Sequence, residues 1–144
     1  MARTASDIVI DADAARIMDV IADFDSYPSW ATGVRSAEVT AGGAGRAERV
    51  HFVLEASPIK DEYELAYTWQ GDHAVSWNLA EKGSMLTAMD GSYELEPAEG
   101  GTRVTYRLAV EVAVPLLGML KRKAEKVIID TALTGLKRRV ERDG

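Results

Sequence analysis

The chain has 144 residues, 47% of them hydrophobic and 28% charged, a balance unlike that of disordered chains and suited to a single domain over 1–144. It has no cysteine, which excludes disulfides, thiolate metal sites and thiol nucleophiles, and its net charge of −6 repels a phosphate backbone, so no nucleic-acid partner is expected. No apolar run approaches a membrane span and "MARTASDIVIDAD" lacks the apolar core of a signal peptide, so the expectation is a cytoplasmic protein without stable membrane insertion.

In chain order, the segment from Thr4 to Asp11 alternates around Ile8 and Ile10 and predicts a first strand. Asp13 then caps a helix whose apolar residues Ile17, Met18, Val20, Ile21 and Phe24 follow three-to-four spacing. The stretch "DFDSYPSW", residues 23 to 30, reads as a joint: Asp25 or Ser26 caps a second short helix, Pro28 sits in its first turn, and Phe24 and Trp30 plug it on either side. Neighbouring carboxylates without a base or metal partner are more often caps than catalysts.

Six period-2 segments follow, from Val34 to Thr40, Arg46 to Ala56, Asp61 to Gln70, Ala74 to Ala80, Leu86 to Glu96 and Thr102 to Val114, separated by glycine-rich or charged turns. Short connections between consecutive strands imply an antiparallel meander. Val50, Phe52 and Leu54, then Tyr63, Leu65, Tyr67 and Trp69, then Val104, Tyr106, Leu108, Val110 and Val112 share a covered face, while Arg49, His51, Glu62, Glu64, Arg103 and Arg107 fall on a wet one. The cover comes from the last thirty residues, where Pro115 marks a helix start and Leu116, Leu120, Ala124, Ile128, Ala132, Leu136 and Val140 recur every four residues, flanked by Val127, Ile129 and Leu133. Gly135 within that stripe suits a close approach of helix to sheet. The same segment carries eight Lys or Arg against four Asp or Glu, which reads as a solvated helix face.

With this plan, the motifs "DFDSYPSW", "DGSYELEP", "GGTRVTYRLAVEVAVPLLG" and "MLKRKAEK" make the chain resemble the helix-grip domains related to the START lipid-transfer fold (the SRPBCC superfamily), including polyketide cyclase/dehydrase-like and coenzyme Q-binding proteins. The resemblance covers the whole chain. It implies an α+β helix-grip fold, a seven-stranded antiparallel sheet wrapped around a long C-terminal helix with two short helices after the first strand. It says little about chemistry, because lipid carriers, hormone receptors and cyclases share the scaffold.

The residues narrow the chemistry further. His51 has wet-face parity and His73 lies in the "QGDH" turn, so neither a Ser-His-Asp site nor a zinc site assembles. "AGGAGR" lacks the Lys-Ser/Thr of a phosphate loop and reads as a hairpin turn; no cofactor and no metal is expected. The covered face instead gathers aromatic groups with polar tips, namely Tyr63, Tyr67, Trp69, Trp77, Tyr93 and Tyr106. A packed core favours plain aliphatics, so hydroxyls gathered on an inner face suggest a cavity. Phe52, Leu65 and Leu108 from the strands, Met89 and Met119 as adaptable thioethers, and Leu120, Ala124 and Ile128 from the helix complete the expected lining, with Gly118 as a hinge. Asp61, in parity with Tyr63 at the strand end, is placed at the cavity mouth.

Two functions fit such a cavity. The first is binding or transport of a hydrophobic small molecule, such as a lipid, isoprenoid quinone or polyketide-like compound, by a protein that is not an enzyme. The second is a polyketide cyclase, aromatase or dehydratase in which Asp61, Tyr67 or Tyr106 moves protons. The lack of an inward histidine puts the first ahead. The expected partner is the small-molecule ligand, and the expected state a monomer or weak homodimer.

Overall fold

The computed structural model describes residues 3–31, 33–42, 46–56, 59–81, 83, 85–113 and 118–143, with the side chains at 56, 59, 118–120 and 143 left out. The elements run β1 (Thr4–Ile10), α1 (Ala14–Ala22), a 3-10 turn (Phe24–Ser26), α2 (Tyr27–Trp30), β2 (Val34–Ala41), β3 (Arg49–Ala56), β4 (Ile59–Gln70), β5 (Ala74–Glu81), β6 (Leu86–Ala98), β7 (Gly101–Val112) and α3 (Gly118–Asp143). Seven antiparallel strands form one sheet in the order β1-β7-β6-β5-β4-β3-β2, so the meander closes on the first strand, which returns beside the last. The fold is thus the α+β arrangement the sequence implies, with both short helices following β1.

Local chemistry explains the elements. Asp13 caps α1 by accepting from the Arg16 amide at 2.9 Å, and Ile17, Met18 and Ile21 bury the helix face. Alternation holds along the sheet: Val50, Phe52 and Leu54 are buried, while His51 on the opposite face meets Glu62 at 3.2 Å. The β6–β7 hairpin turns through Gly100 and Gly101, both at positive φ; a Cβ on Gly101 would collide with the Ile10 carbonyl of β1.

Four expectations change. Neither Asp25 nor Ser26 caps α2 with its side chain; the Ser26 hydroxyl donates to Asp23 at 2.8 Å and Asp25 is exposed. The third strand begins at Arg49, because Arg46 is turned toward Asp72 at 3.0 Å and Asp19 at 3.4 Å. The every-four ladder does not define the buried face of α3: four residues advance about 400°, so such a ladder drifts about 40° per step around a helix of 3.6 residues per turn. Ala124, Leu136 and Val140 of the ladder are buried together with Glu125 and the flanking Ile129 and Leu133, whereas Ile128 and Ala132 are only partly covered, and Val127 is 46% exposed. Finally, Gly135 approaches α2 rather than the sheet, since a Cβ there would collide with the carbonyl oxygen of Trp30. Pro115, Leu116 and the end of the expected last strand at Val114 lie outside the described residues.

Glu125 is a buried carboxylate at the heart of the helix–sheet contact, 1% exposed. It accepts from the Thr4 hydroxyl of β1 at 2.6 Å and from the Val110 amide of β7 at 2.8 Å. Val110 pairs with Met89 of β6 but lies past the register position where β1 stops pairing with β7, at Thr4 opposite Leu108, so the carboxylate takes up an amide beyond the reach of β1.

Candidate functional site

Between the concave face of the sheet, α2 and α3 lies a cavity of about 70 Å³ open to water-sized molecules. The strands supply Val34, Phe52, Leu54, Tyr63, Leu65, Tyr67, Trp77, Met89, Tyr93, Tyr106 and Leu108; α2 and the residue after it supply Tyr27, Trp30 and Ala31; α3 supplies Ile128 and Ala132. All sixteen side chains are uncharged. Strand parity puts the β3, β4 and β7 residues on one face, and the β6–β7 register sets Tyr93 directly opposite Tyr106, 4.6 Å apart between ring centroids, with Trp77 at 5.4 and 5.5 Å from them. The Trp77 indole lies against β6 because Gly91 has no side chain; a Cβ there would overlap the ring.

The polar tips are distinctive. Among the described residues the hydroxyls of Tyr63, Tyr67, Tyr93 and Tyr106 have no hydrogen-bond partner, whereas Tyr27 donates to the Ile21 carbonyl. The indole Nε1 of Trp30 is likewise buried and unpartnered. Burial pushes all of these phenols well above the ordinary tyrosine range; neighbouring phenols add to the effect at Tyr63, Tyr67 and Tyr93, and Asp61 adds to it at Tyr63. They therefore stay protonated at neutral pH and act as neutral donors and acceptors.

Of the residues singled out from the sequence, Phe52, Tyr63, Leu65, Tyr67, Trp77, Met89, Tyr93, Tyr106, Leu108 and Ile128 come together around this cavity. Trp69 does not: its indole donates to the Ala47 carbonyl at 2.8 Å and its ring lies beneath the Arg46 guanidinium at 5.3 Å. Ala124 is buried beside α3's core face without lining the space, and the side chains of Met119 and Leu120 fall outside the described residues.

Asp61 is buried but turned away from the cavity. Its Oδ1 accepts from the Glu62 amide at 2.9 Å, and its Oδ2 accepts from the Met85 and Leu86 amides at 2.9 and 2.7 Å. A carboxylate so engaged organises the entry into β6, and Gly83 is kept free of a side chain by the same carboxylate, which a Cβ would strike.

Sequence reasoning missed Tyr27, Trp30, Ala31, Val34, Leu54 and Ala132 as lining residues. Leu54 and Ala132 carried a usable signal, since one shares parity with Phe52 and the other follows Ile128 by one turn. The α2 residues carried none: the angle at which a four-residue helix enters is not written in any periodicity. Among the described residues no group of three or more metal-ligating side chains assembles, and no helix is long and apolar enough to cross a membrane.

Similar proteins share this architecture. A START superfamily protein from Mycobacterium smegmatis superposes with a TM-score of 0.90 at 20% identity, over 100% of both chains. A protein from Thermus thermophilus gives 0.81 at 24% identity over 99% of each chain. The Zhui aromatase/cyclase from a Streptomyces species gives 0.75 at 13% identity over 97% of this chain and 93% of its own. No curated protein sequence matches. At these identities the likeness is one of fold, while the model of the family "polyketide cyclase / dehydrase and lipid transport" matches residues 1–141. That match runs along nearly the whole chain, and it identifies the chain as a member of the polyketide cyclase/dehydrase and lipid transport family.

Proposed function

We propose that the protein binds and carries a neutral, largely apolar small molecule, of lipid, isoprenoid quinone or polyketide-like character, in the cavity between sheet, α2 and α3. The observation that carries this reading is a lining of sixteen uncharged side chains in which four phenol hydroxyls find no hydrogen-bond partner among the described residues. Apolar walls supply affinity, and a few polar tips orient the guest. An ionised guest would lie buried without a counter-charge, which is strongly unfavourable. The volume of about 70 Å³ is below the several hundred Å³ of a site for a drug-sized ligand, so a larger guest requires the cavity to widen.

The cyclase reading requires a group that takes up a proton near neutral pH. Among the described residues the lining offers no carboxylate or imidazole, Asp61 is occupied by backbone amides, and Tyr67 and Tyr106 hold their protons, which favours the carrier.

The test is saturable binding of the neutral fluorophore N-phenyl-1-naphthylamine, together with native mass spectrometry of protein purified from its own host. One-to-one binding that is lost in Ala132→Trp, where the new ring occupies the cavity, is the expected result. Binding that survives the plug, or product formed from a synthetic poly-ketone by the parent protein, refutes it.

A further inference from the structure

Resting on the proposed binding function, we infer that Tyr106 is the central specificity-determining residue of the cavity, and that the guest it selects carries two or more oxygens, as carbonyl or hydroxyl, in the part that is enclosed. A quinone or a hydroxylated ketone fits this chemistry, and a bare hydrocarbon chain does not.

The packing of the rings gathers the hydroxyls. Tyr67, Tyr93 and Tyr106, from β4, β6 and β7, stand around the Trp77 ring at 5.7, 5.4 and 5.5 Å between centroids. Tyr93 and Tyr106 face each other in the β6–β7 register with their rings 4.6 Å apart. Tyr63 borders the same space, whose volume of about 70 Å³ leaves little distance between the groups that line it. Burial is the first cause of the raised pKa at Tyr63, Tyr67 and Tyr93, and the Tyr106 phenol is the second at each, which agrees with a Tyr106 oxygen placed near all three.

These hydroxyls are open to the cavity. Among the described residues the side-chain atoms that are sealed from water and unpartnered are the Arg16 Nε, the Trp30 Nε1 and the Ser92 Oγ. The phenol oxygens of Tyr63, Tyr67, Tyr93 and Tyr106 are equally unpartnered but are not sealed: they keep surface that a water-sized molecule can touch, on residues that line the cavity.

Open hydroxyls set the terms of entry. A hydrocarbon filling the space strips water from all four and returns no hydrogen bond, and a site holding unpaired polar atoms discriminates strongly against guests that lack the complementary group. Each phenol both donates and accepts, so a carbonyl and a hydroxyl are alike acceptable partners. One carbonyl oxygen has two lone pairs and takes two donors, so four hydroxyls call for a second oxygen. Tyr106, beside Tyr93 on one side and Trp77 on the other, contributes the hydroxyl common to these pairings.

The experiment measures displacement of N-phenyl-1-naphthylamine from the full chain by three probes of one outline: indane without oxygen, 1-indanone with one, and 5-hydroxy-1-indanone with two. At about pH 6 the phenol of the third probe is neutral. Affinity is expected to rise about fivefold with each oxygen, the worth of one net hydrogen bond. A cavity that offers no partners gives the reverse order, because each oxygen then gives up its water without return. In Tyr106→Phe the preference for 1-indanone over indane is expected to fall about fivefold. The infrared carbonyl stretch of bound 1-indanone, lowered by donated hydrogen bonds in the parent, is expected to move back up in the same variant. Affinity that is flat or falls with oxygen count, oxygenated probes that fail to displace the fluorophore, or a ratio and a stretch unchanged in Tyr106→Phe overturn this inference while binding itself stands. Failure of the parent to bind the fluorophore and all three probes overturns the binding function and this inference with it. If Tyr106→Phe does not fold, the parent's rank order and carbonyl stretch decide alone.

Discussion

Asp61 offers the sharpest separation of a structural from a chemical role. In Asp61→Ala the amides of Met85 and Leu86 lose their acceptor at the entry to β6, where Leu86 is fully buried. An orphaned buried donor costs about 1–3 kcal/mol, and two of them sum to about 3–4 kcal/mol if the more exposed one recovers part of its hydration. Unfolding entropy of about 2.1 cal/mol/K per residue over 144 residues is roughly 0.3 kcal/mol/K, so the melting temperature is expected to fall by about 10–13 °C. In Asp61→Asn the amide oxygen can keep the Met85 and Leu86 bonds, but its NH₂ then confronts the Glu62 amide, and the fall is expected to be about half as large. Calorimetric melting is the assay for stability. Titration with N-phenyl-1-naphthylamine at about 15 °C, well below either transition, is expected to give the parent's affinity in both variants. An Asp61→Asn protein that melts with the parent yet loses binding, or loses a catalysed conversion, would refute the structural assignment.

Gly91→Ala forces a methyl group into the Trp77 ring and drives the indole into the cavity; probe affinity is expected to drop at least tenfold with a stability loss of about 1–3 kcal/mol, and unchanged affinity in the folded variant counts against the cavity as the binding site. Gly135→Ala gains about 1 kcal/mol of helix propensity but collides with the Trp30 carbonyl; overpacking at about 1–3 kcal/mol is expected to win, so a net stabilisation on denaturant titration would show that α2 and α3 are less closely seated. The five tyrosines, Tyr27, Tyr63, Tyr67, Tyr93 and Tyr106, all have raised pKa values through burial. Their native forms keep protons that the unfolded chain releases near pH 10, so this contribution is fully present below that pH and is lost above it. Absorbance at 295 nm is expected to rise in one step coincident with alkaline unfolding, and a gradual rise in a chain still folded by circular dichroism would contradict the burial.

The sheet was legible because alternation is a direct projection of strand geometry onto sequence: Phe52, Tyr63, Tyr106 and Leu108 face inward for the reason that Val50 and Val104 do. The helix α3 was legible in extent and less so in orientation. Its ladder of every fourth residue favoured Ile128 over Ile129, and only packing against β1 and β7 shows Ile129 fully buried with Ile128 turned to the cavity. Glu125 interrupts that stripe with a charge, and a reading by hydropathy passes over it because its partners, Thr4 and the Val110 amide, are remote in sequence. Asp61 is buried as the parity of Tyr63 implies, but its partners were not legible, since the amides that claim its carboxylate belong to residues 24 and 25 positions away. The joint "DFDSYPSW" was half read. Its carboxylates stay clear of the cavity, but its two large rings, Tyr27 and Trp30, become wall.

The return of β1 to the far edge of the sheet has a consequence for how the molecule comes into being. Thr4 pairs opposite Leu108 and is fastened by Glu125, so the first strand made has no partner until more than a hundred residues have followed it. At about 5–20 residues per second a ribosome needs roughly 5–20 s to supply that partner. Throughout this interval the hairpins β2–β3, β4–β5 and their neighbours can form from local sequence, while the inner face with its phenols and indoles stays uncovered, because its lid α3 is the last element to emerge. Closing so long a loop is slow even after release, as it is for any fold dominated by distant pairings. The newborn chain thus passes through a stage as an open, aromatic-faced sheet, and a hydrophobic guest present at that stage can be enclosed as the helix comes down rather than admitted through the finished wall.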